Sequence, residues 1–570
     1  MLLKNPALAG GHGRDAYTPQ LEYRRDTAEQ AEAGVRQAYA DVLLHEARCA
    51  ETDASFRGTA FDAAVWWDVV AAHSALFEAC DDFLFRCALG APGLRALPGK
   101  YRLRPRLWRA VSGALDLLRP HLPAAYDLAV SLVYRAYAVL ARQAEFLPDT
   151  LDSTLESLGD LAACRAAIEP ATADRLVWNA VAAGWYTRCA LRNPGAGRIY
   201  HNLGLLAPDA LGQLFYYAKA IQARQPYARA HTALAAVLAG AGPPSVSKFH
   251  AAFLHAVAGG PSDDFFRLAA GRDASWAEDG VRLAVVSVGL LCGALDVDAD
   301  VLVDADTSAD VSAGLAGLDL DADADADESG SDGLDGPRLS PSPAPAAGPD
   351  GAAAADVDGA EASAELEPPP DAACLARSES VEPPPLPPRP VRPPPPALPF
   401  DILALALSTG AQAHYGYIFA WLIFLHHLAI HPDPLLDLTS LPWASLVRFL
   451  SGLTCLADTD AVFDAPEPPS GTSHAISLLM RARDLDLRGL RWSADFPFPY
   501  TPAPSYAGAP GPLPPADETD EADEILALDS VHKTECHAVL LERILWTAHR
   551  IAQSRLWFTY DSFQQKFVLL

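Results

Sequence analysis

The sequence lacks several patterns that would assign it to a common class. Its nine cysteines are odd in number, scattered and never spaced as Cys-x-x-Cys, which disfavours a zinc site or a disulfide framework and indicates a reducing compartment, the nucleus or the cytoplasm. The first 24 residues contain no apolar run, so no secretory signal is expected. Hydrolase, Walker, dinucleotide and metalloprotease motifs are missing, and we predict no enzyme and no cofactor.

Basic residues are scarce: 43 Lys and Arg stand against 72 Asp and Glu, a net charge of −29. Such an excess would repel a nucleic acid if it were spread over the folded surface. However, 21 of the acids and only one base, Arg338, lie between Asp296 and Asp371, which leaves −9 for the rest of the chain. Most of the net negative charge therefore lies in this one insert, and the charge of the chain does not exclude a nucleic-acid partner.

Formally charged side chains are absent from Ile402 to Pro432. That length permits a transmembrane helix. The segment also contains polar residues, among them His426, His427 and His431, and it lacks flanking Lys or Arg. We favour a buried helical hairpin of a large all-α protein and expect no membrane partner, with a membrane span as the alternative.

Apolar residues recur at three- and four-residue spacing from Thr27 onwards, as in Val35, Tyr39 and Val42, and this spacing predicts helices. Glycine and proline mark the breaks between them. The predicted helices of the first half are Ala63–Leu89, Leu107–Leu118, Ala124–Phe146, Leu151–Ile168, Asp174–Leu191, Ile199–Leu206, Ala210–Ala223, Arg229–Ala239 and Val246–Val257.

Two consecutive helical pairs look related. The aromatic pair Trp185-Tyr186 recurs as Tyr216-Tyr217 at an offset of 31 residues, each followed by a proline. This offset is close to the period of tetratricopeptide repeats, whose small and aromatic positions interlock adjacent helix pairs.

The composition divides the chain into segments. We predict a disordered arm (1–25), a helical domain (26–260), a helical continuation (261–295), an acidic and Pro-rich disordered insert (296–400) and a C-terminal helical bundle (401–570), because the insert buries too little apolar surface to fold. The helices predicted for the bundle are Ile402–Ile430, Pro442–Leu456, Ile476–Met480 and Leu526–Leu556, with a short strand or turn at Arg555–Tyr560.

Several blocks, taken in order, resemble one family, the Est/Smg group of telomerase-associated Est proteins and Smg factors of nonsense-mediated mRNA decay, and in particular its fungal-type branch with an Est-like DNA/RNA-binding domain. These blocks are Lys100–Arg109, Leu158–Leu161, Gly197–Ala207, Gln213–Ala220, Gln225–Ala230, Lys248–His250, Pro442–Val447, Asp486–Ser493 and Arg543–Trp546.

The resemblance implies a 14-3-3-like and tetratricopeptide-like helical superhelix followed by a bundle of helical hairpins. It also implies a non-catalytic scaffold in telomere maintenance or mRNA decay, with single-stranded nucleic acid, a telomerase or decay ribonucleoprotein, or a phosphorylated protein as partner. Some relatives end in a PIN nuclease domain; no such segment follows the bundle here, so nuclease activity is not expected. The alternative hypothesis is a phosphopeptide or proline-linker adaptor that does not bind nucleic acid.

Arg165 is the candidate phosphopeptide ligand. In the family, the helix that carries Leu-Gly-Asp continues with Arg-Tyr-Arg, whereas this sequence has Ala163-Cys164-Arg165. Only the last arginine remains, and an ordinary surface charge is the alternative. The insert adds Pro384–Arg389, which fits the Pro-x-x-Pro-x-Arg pattern for Src-homology-3 domains.

Candidate nucleic-acid contacts occur in the densest basic stretch and near the second repeat. Cationic side chains bind a phosphate backbone, and aromatic rings stack on nucleobases. Tyr101 and Trp108 are interleaved with the Lys and Arg residues of this stretch. The alternative is a solvated helix start with Trp108 in the core. The candidates are Lys100, Arg102, Arg104, Arg106, Arg109, Lys219 and Arg224, with weaker ones at Arg229, Arg481, Arg483, Arg488 and Arg491.

His427 and His431 have the four-residue spacing of two metal ligands on one helix face. No neighbouring Cys, Asp or Glu in the sequence completes a ligand set with them. We therefore interpret these histidines as buried or capping side chains and predict no metal.

Overall fold

The computed structural model describes residues 28–147, 150–240, 243, 247–270, 273–295, 397–470, 480, 483–498 and 533–570. These residues are mainly helical, which confirms the all-α prediction. The predicted arm 1–25, the insert up to residue 396, the Pro384–Arg389 motif and Arg481 lie outside the described residues.

The first half of the chain forms consecutive packed helices, and the nine for which bounds were predicted agree with the prediction to within four residues. The helices of this half are α1 (Ala28–Phe56), α2 (Ala63–Leu89), α3 (Pro92–Arg95), α4 (Leu97–Lys100), α5 (Leu103–Leu118), α6 (Tyr126–Phe146), α7 (Leu151–Ile168), α8 (Thr172–Arg192), α9 (Gly197–Leu206), α10 (Ala210–Gln222), α11 (Arg229–Leu238), α12 (Lys248–Val257), α13 (Asp263–Ala269) and α14 (Asp273–Leu291).

The second half adds further helices and a small hairpin. They are α15 (Leu398–Thr409), α16 (Tyr415–Ile430), α17 (Trp443–Leu453), α18 (Thr459–Asp464), α19 (Lys533–Ser554), β1 (Phe558–Asp561) and β2 (Lys566–Leu569). The two strands pair antiparallel, with Phe558 opposite Leu569, which confirms the predicted terminal strand. The single helix predicted over 402–430 is wrong, because Gly410 adopts φ +61 and ends α15.

The helices enclose two hydrophobic cores. The first is built by α1, α2, α5, α6 and one face of α7, around Trp66, Phe77 and Phe83. The second combines the α8–α14 region with the helices that follow residue 397, around Trp276 and Tyr417. The predicted domain boundaries at 261 and 401 therefore separate segments that share one core.

Helix α16 runs through the second core. Its crossing with α14 is close because Gly280 and Gly416 carry no side chain there, and the Tyr417 hydroxyl donates a hydrogen bond to Ser287 Oγ at 3.3 Å. Among the described residues one helix, Gln412–Ile430, has the length and apolar composition to cross a membrane, and 72% of its apolar window is buried inside the protein. This burial favours a core helix, and the absence of a membrane partner stays a prediction.

The same small-to-aromatic contact occurs in two successive helix pairs. Gly159 of α7 faces the ring of Tyr186 on α8, and Gly204 of α9 faces the ring of Tyr217 on α10, so closely that a Cβ at either glycine would overlap the ring. This is the interlocking expected of tetratricopeptide-like pairs. The Leu-Gly dipeptide that precedes each contact, at 158–159 and 203–204, marks the repeat in the sequence.

Residues 484–498 lie across the end of this repeat region, and we call them the strap; they begin in a short helix (483–487) and continue with a 3-10 turn at Arg491–Ser493. Leu490 of the strap forms an antiparallel bridge with Ala223, and Trp492 Nε1 donates to Gln222 Oε1 at 2.9 Å. Gly489 adopts φ +81 and lies directly against the Pro194 carbonyl, where no side chain fits. The strap thereby attaches the second half of the chain to α8–α10.

Candidate nucleic-acid interface

The segment from Gly90 to Leu115 contains six Lys and Arg residues and no Asp or Glu. It forms the short helices α3 and α4, a turn and the first three turns of α5. The side chains of Arg95, Lys100, Arg102 and Arg109 are exposed, whereas those of Arg104 and Arg106 are half-buried. The exposed group is a local concentration of positive charge in an acidic chain.

Arg102 occupies the turn between α4 and α5 in a left-handed backbone conformation, with φ 48 and ψ 44. Its backbone N–H donates to the Gly99 carbonyl at 3.0 Å. A non-glycine residue in this region costs about 1–2 kcal/mol, so the surrounding packing must hold it there. The turn keeps Arg102 on the surface while Leu103, the next residue, is fully buried.

Arg106 is not available to a ligand. Its guanidinium donates to both carboxylate oxygens of Glu46 at 2.8 and 2.5 Å, and this pairing, despite the opposing effect of burial, raises the pKa of Arg106. A bidentate pair of this kind fixes α5 to α1. The structure therefore gives Arg106 an internal role, and we do not include it in the proposed interface.

Arg104 has a similar internal role. Its guanidinium donates to Gln143 Oε1 at 3.3 Å and to the Thr154 hydroxyl. Gln143 in turn donates to the buried Asp81 at 3.0 Å. This network joins α5 to the α6–α7 hairpin, and we do not include Arg104 in the proposed interface.

The two aromatic residues of the basic stretch do not face solvent as a stacking surface. Tyr101 is stacked on Tyr39, with ring centroids 4.4 Å apart and an interplanar angle of 21°. Trp108 is only 6% exposed, which confirms the alternative interpretation of Trp108 as a core residue. The stretch offers cations without exposed rings for base stacking.

Arg165 lies inside the protein and is 6% exposed. It forms an ion pair with Glu169, one turn further along α7, and donates to the Tyr126 hydroxyl at 3.1 Å. Ala163, which stands where the family has an arginine, is fully buried. Because Arg165 is buried and paired with the Glu169 carboxylate, its guanidinium is not accessible to a phosphopeptide in this structure.

Lys219 is also buried, at 1% exposure. Its ammonium donates to the Leu485 carbonyl of the strap and lies 4.1 Å from the centroid of the Tyr200 ring. Burial lowers the pKa of Lys219 to about 7. The prediction of a surface contact at Lys219 is therefore wrong.

Arg224 is exposed, but it takes part in the attachment of the strap. Its backbone N–H donates to the Gly489 carbonyl at 2.9 Å and its guanidinium to the Ala494 carbonyl at 3.3 Å. Arg491 donates in the opposite direction, to the Ala223 carbonyl at 3.1 Å. The weaker candidates Arg488, which is 8% exposed, and Arg491 thus belong to the strap.

The predicted arginines do not converge on a common groove. Arg104 contacts Thr154 near the start of α7, whereas Arg165 lies in the last turn of the same helix. Eleven residues of α-helix separate the two places by about 16 Å. Arg104 and Arg165 therefore contact opposite ends of α7, and the structure does not bring these two side chains together.

The sequence analysis missed a row of aromatic rings between α6 and α8. Tyr134 packs edge-on against Trp178 with centroids 6.1 Å apart, and Trp185 Nε1 donates to the Tyr137 hydroxyl at 2.7 Å. The Arg188 guanidinium lies 4.6 Å from the centroid of the Trp185 ring. The signal was present as the three-residue spacing on α6 and the seven-residue spacing on α8, both of which keep the rings on one helix face.

The structure brings to His427 and His431 an acid that is distant from them in the sequence. Asp495 of the strap accepts from both imidazoles, with 2.6 Å between its Oδ2 and His427 Nδ1 and 3.4 Å between its Oδ1 and His431 Nε2. The acid was overlooked because it lies 68 residues away from His427 in the chain.

The chain was compared with protein-family models and with curated proteins. No protein-family model matches the chain, and no curated protein is significantly similar to it.

Proposed function

We propose that this protein is a non-catalytic helical scaffold that binds single-stranded nucleic acid, or a ribonucleoprotein containing it, through the exposed cations of the Gly90–Leu115 segment. The observation that carries this proposal is that Arg95, Lys100, Arg102 and Arg109 are exposed in a segment without a single acid.

The electrostatic argument is local. The electrostatic interaction of an exposed cation with a distant acid is weak in water at physiological salt, because charges are screened within about 8 Å. A nucleic-acid backbone brings several phosphates within that range and releases its counterions on binding. Three phosphate contacts on a single strand give a slope of about −2 in log K against log salt concentration.

The biological setting follows from the resemblance to the Est/Smg family. The ordered blocks support a role in telomere maintenance with telomerase or in nonsense-mediated mRNA decay, in the nucleus or the cytoplasm. The stacked helix pairs of α7–α10 support the scaffold part of the proposal, because such pairs present extended binding surfaces.

The aromatic row between α6 and α8 supports a second contact with the same ligand. Tyr134 is 49% exposed, and arginines lie against the faces of Trp178 and Trp185. Base stacking on an accessible ring contributes about 1–3 kcal/mol per base. Tyr134 is the member of the row that an unpaired base reaches without displacing another side chain.

The test is fluorescence anisotropy with labelled single-stranded DNA and RNA at two salt concentrations. The variant Lys100→Glu/Arg102→Glu/Arg109→Glu reverses three exposed cations, and we expect it to lose at least tenfold in affinity and to flatten the salt dependence. The control Arg57→Glu/Lys248→Glu/Arg267→Glu makes the same change of net charge at exposed positions elsewhere.

We expect the control variant to keep the parent's affinity to within about threefold. If both variants lost affinity equally, the interaction would depend on net charge alone. The proposed interface would then be wrong. Absence of salt-dependent binding by the folded parent protein would overturn the nucleic-acid function itself.

A further inference from the structure

Three side chains with metal-binding atoms meet where α16 ends against the strap. His427 Nδ1, His431 Nε2 and a carboxylate oxygen of Asp495 all lie within 4.8 Å of one another. His427 lies in the last turn of α16, His431 is the residue that caps this helix, and Asp495 belongs to a segment more than sixty residues later. None of the residues of the proposed nucleic-acid interface belongs to this cluster.

The local structure explains why both imidazoles face the same point. A four-residue spacing places the side chains one above the other on a helix, and the two rings have centroids 5.1 Å apart. Helix α16 ends at Ile430, and His431, which precedes Pro432, has left the helical region with ψ 80. The cluster therefore lies at the carboxyl end of a helix, where the helix dipole favours a cation.

The donor set is that of a first-row transition metal. Imidazole nitrogens and a carboxylate oxygen bind zinc at about 2.0–2.2 Å, and three protein ligands with one open position are typical of zinc sites that also hold a water or an external ligand. The side chains are 23%, 58% and 28% exposed for His427, His431 and Asp495 respectively. Solvent therefore reaches the side of the cluster from which a metal would enter.

We propose that His427, His431 and Asp495 form a binding site for a divalent transition-metal ion, with zinc as the ion that this donor set and its geometry favour. The metal replaces the hydrogen bonds that Asp495 accepts from the two imidazoles. The donor atoms already lie within 4.8 Å of one another, so side-chain rotations suffice to bring them to one ion.

The position of the site gives the metal a structural consequence. Asp495 follows Trp492 and Ala494, both of which contact the repeat region through Gln222 and Arg224. A metal bound to Asp495 and to the two histidines at the end of α16 therefore replaces hydrogen bonds with coordination bonds and strengthens an attachment that the strap already has. Metal binding then stabilises the fold by an amount that grows with the logarithm of metal concentration.

The direct test is isothermal titration calorimetry of the full-length protein, stripped with a chelator, against Zn²⁺, together with the visible absorption spectrum of Co²⁺ added in its place. We expect one equivalent of zinc and a Co²⁺ spectrum of tetrahedral type with nitrogen and oxygen ligands. His431→Ala and Asp495→Asn should each lose at least tenfold in zinc affinity. His255→Ala removes an exposed histidine outside the cluster and should bind as the parent does.

Thermal melting provides a second measurement that does not depend on heat of binding. Zinc should raise the melting temperature of the parent and of His255→Ala but not that of the double variant His431→Ala/Asp495→Asn, whose circular dichroism should match the parent's. Stoichiometric zinc binding that survives in the folded double variant, or no zinc binding by the parent, overturns the proposal. Neither result affects the nucleic-acid test, because the two sets of residues do not overlap.

Discussion

A lysine ammonium lies inside the protein where α10 contacts the strap. Burial lowers the pKa of Lys219 from its ordinary 10.5 to about 7. Between these two values the unfolded chain holds a proton that the folded chain has released, so stability rises with pH across this interval, by up to about 1.4 kcal/mol per pH unit. We expect urea denaturation to show this rise from pH 7 to 8.5 and Lys219→Met to remove most of it. An unchanged slope in the variant would contradict the assignment.

The ion pair of Arg165 with Glu169 leads to a second prediction at the residue scale. Glu169 is 6% exposed, and removal of its partner leaves a buried charge without compensation, which typically costs about 3–5 kcal/mol. Arg165→Ala should therefore lower the free energy of unfolding in urea by several kcal/mol. Arg165→Met/Glu169→Leu should recover most of this loss. A single variant within about 1 kcal/mol of the parent would show that the pair is not buried.

Charged side chains were the hardest residues to place from the sequence, and the reason is the position of their partners. Arg106 pairs with Glu46, 60 residues away, and Lys219 donates to a carbonyl 266 residues away. Local spacing carries no information about such partners. Trp108, by contrast, is buried as the alternative interpretation expected, because apolar periodicity alone decides its burial.

At the scale of elements, the attachment of the strap depends on one glycine. Gly489 has φ +81 and touches the Pro194 carbonyl, so an alanine there must move the strap as well as accept a strained backbone. Gly58 is the matched control, because it has φ +80 with nothing within 4 Å of an added Cβ. We expect Gly58→Ala to cost about 1–2 kcal/mol and Gly489→Ala to cost more than that. Equal losses in thermal melts would mean that the Pro194 contact does not matter.

Helices were predicted more reliably than the segments between them. Ala63–Leu89 and Leu151–Ile168 have the predicted bounds, because a three-to-four-residue apolar period directly specifies a helix. The break at Gly410 was missed because both flanking segments are equally apolar. The strap was recognised only as a block of the family, since its structure comes from contacts with α10 and not from any period of its own.

At the scale of the whole molecule, the second core joins residues on both sides of the insert. Leu283, Val285 and Val286 of α14 are fully buried together with Tyr417 and Trp421 of α16. A fragment that ends at residue 295 would expose this face of α14 to water. We expect the fragment 28–295 to be insoluble or to bind a hydrophobic dye when produced alone, and to become soluble when produced together with 397–570. A stable, dye-free fragment would show that the two parts fold independently.

The double attachment of the strap has a mechanical consequence for the stacked helix pairs. Arrays of such helix pairs are often compliant, and the pitch of their superhelix changes when a ligand binds. Here Leu490 and Trp492 clamp the end of the array near Ala223, and Asp495 ties the same segment to α16. The contacts of the strap therefore restrain the array at this end, and we expect a molecule that binds along it to change the curvature there very little.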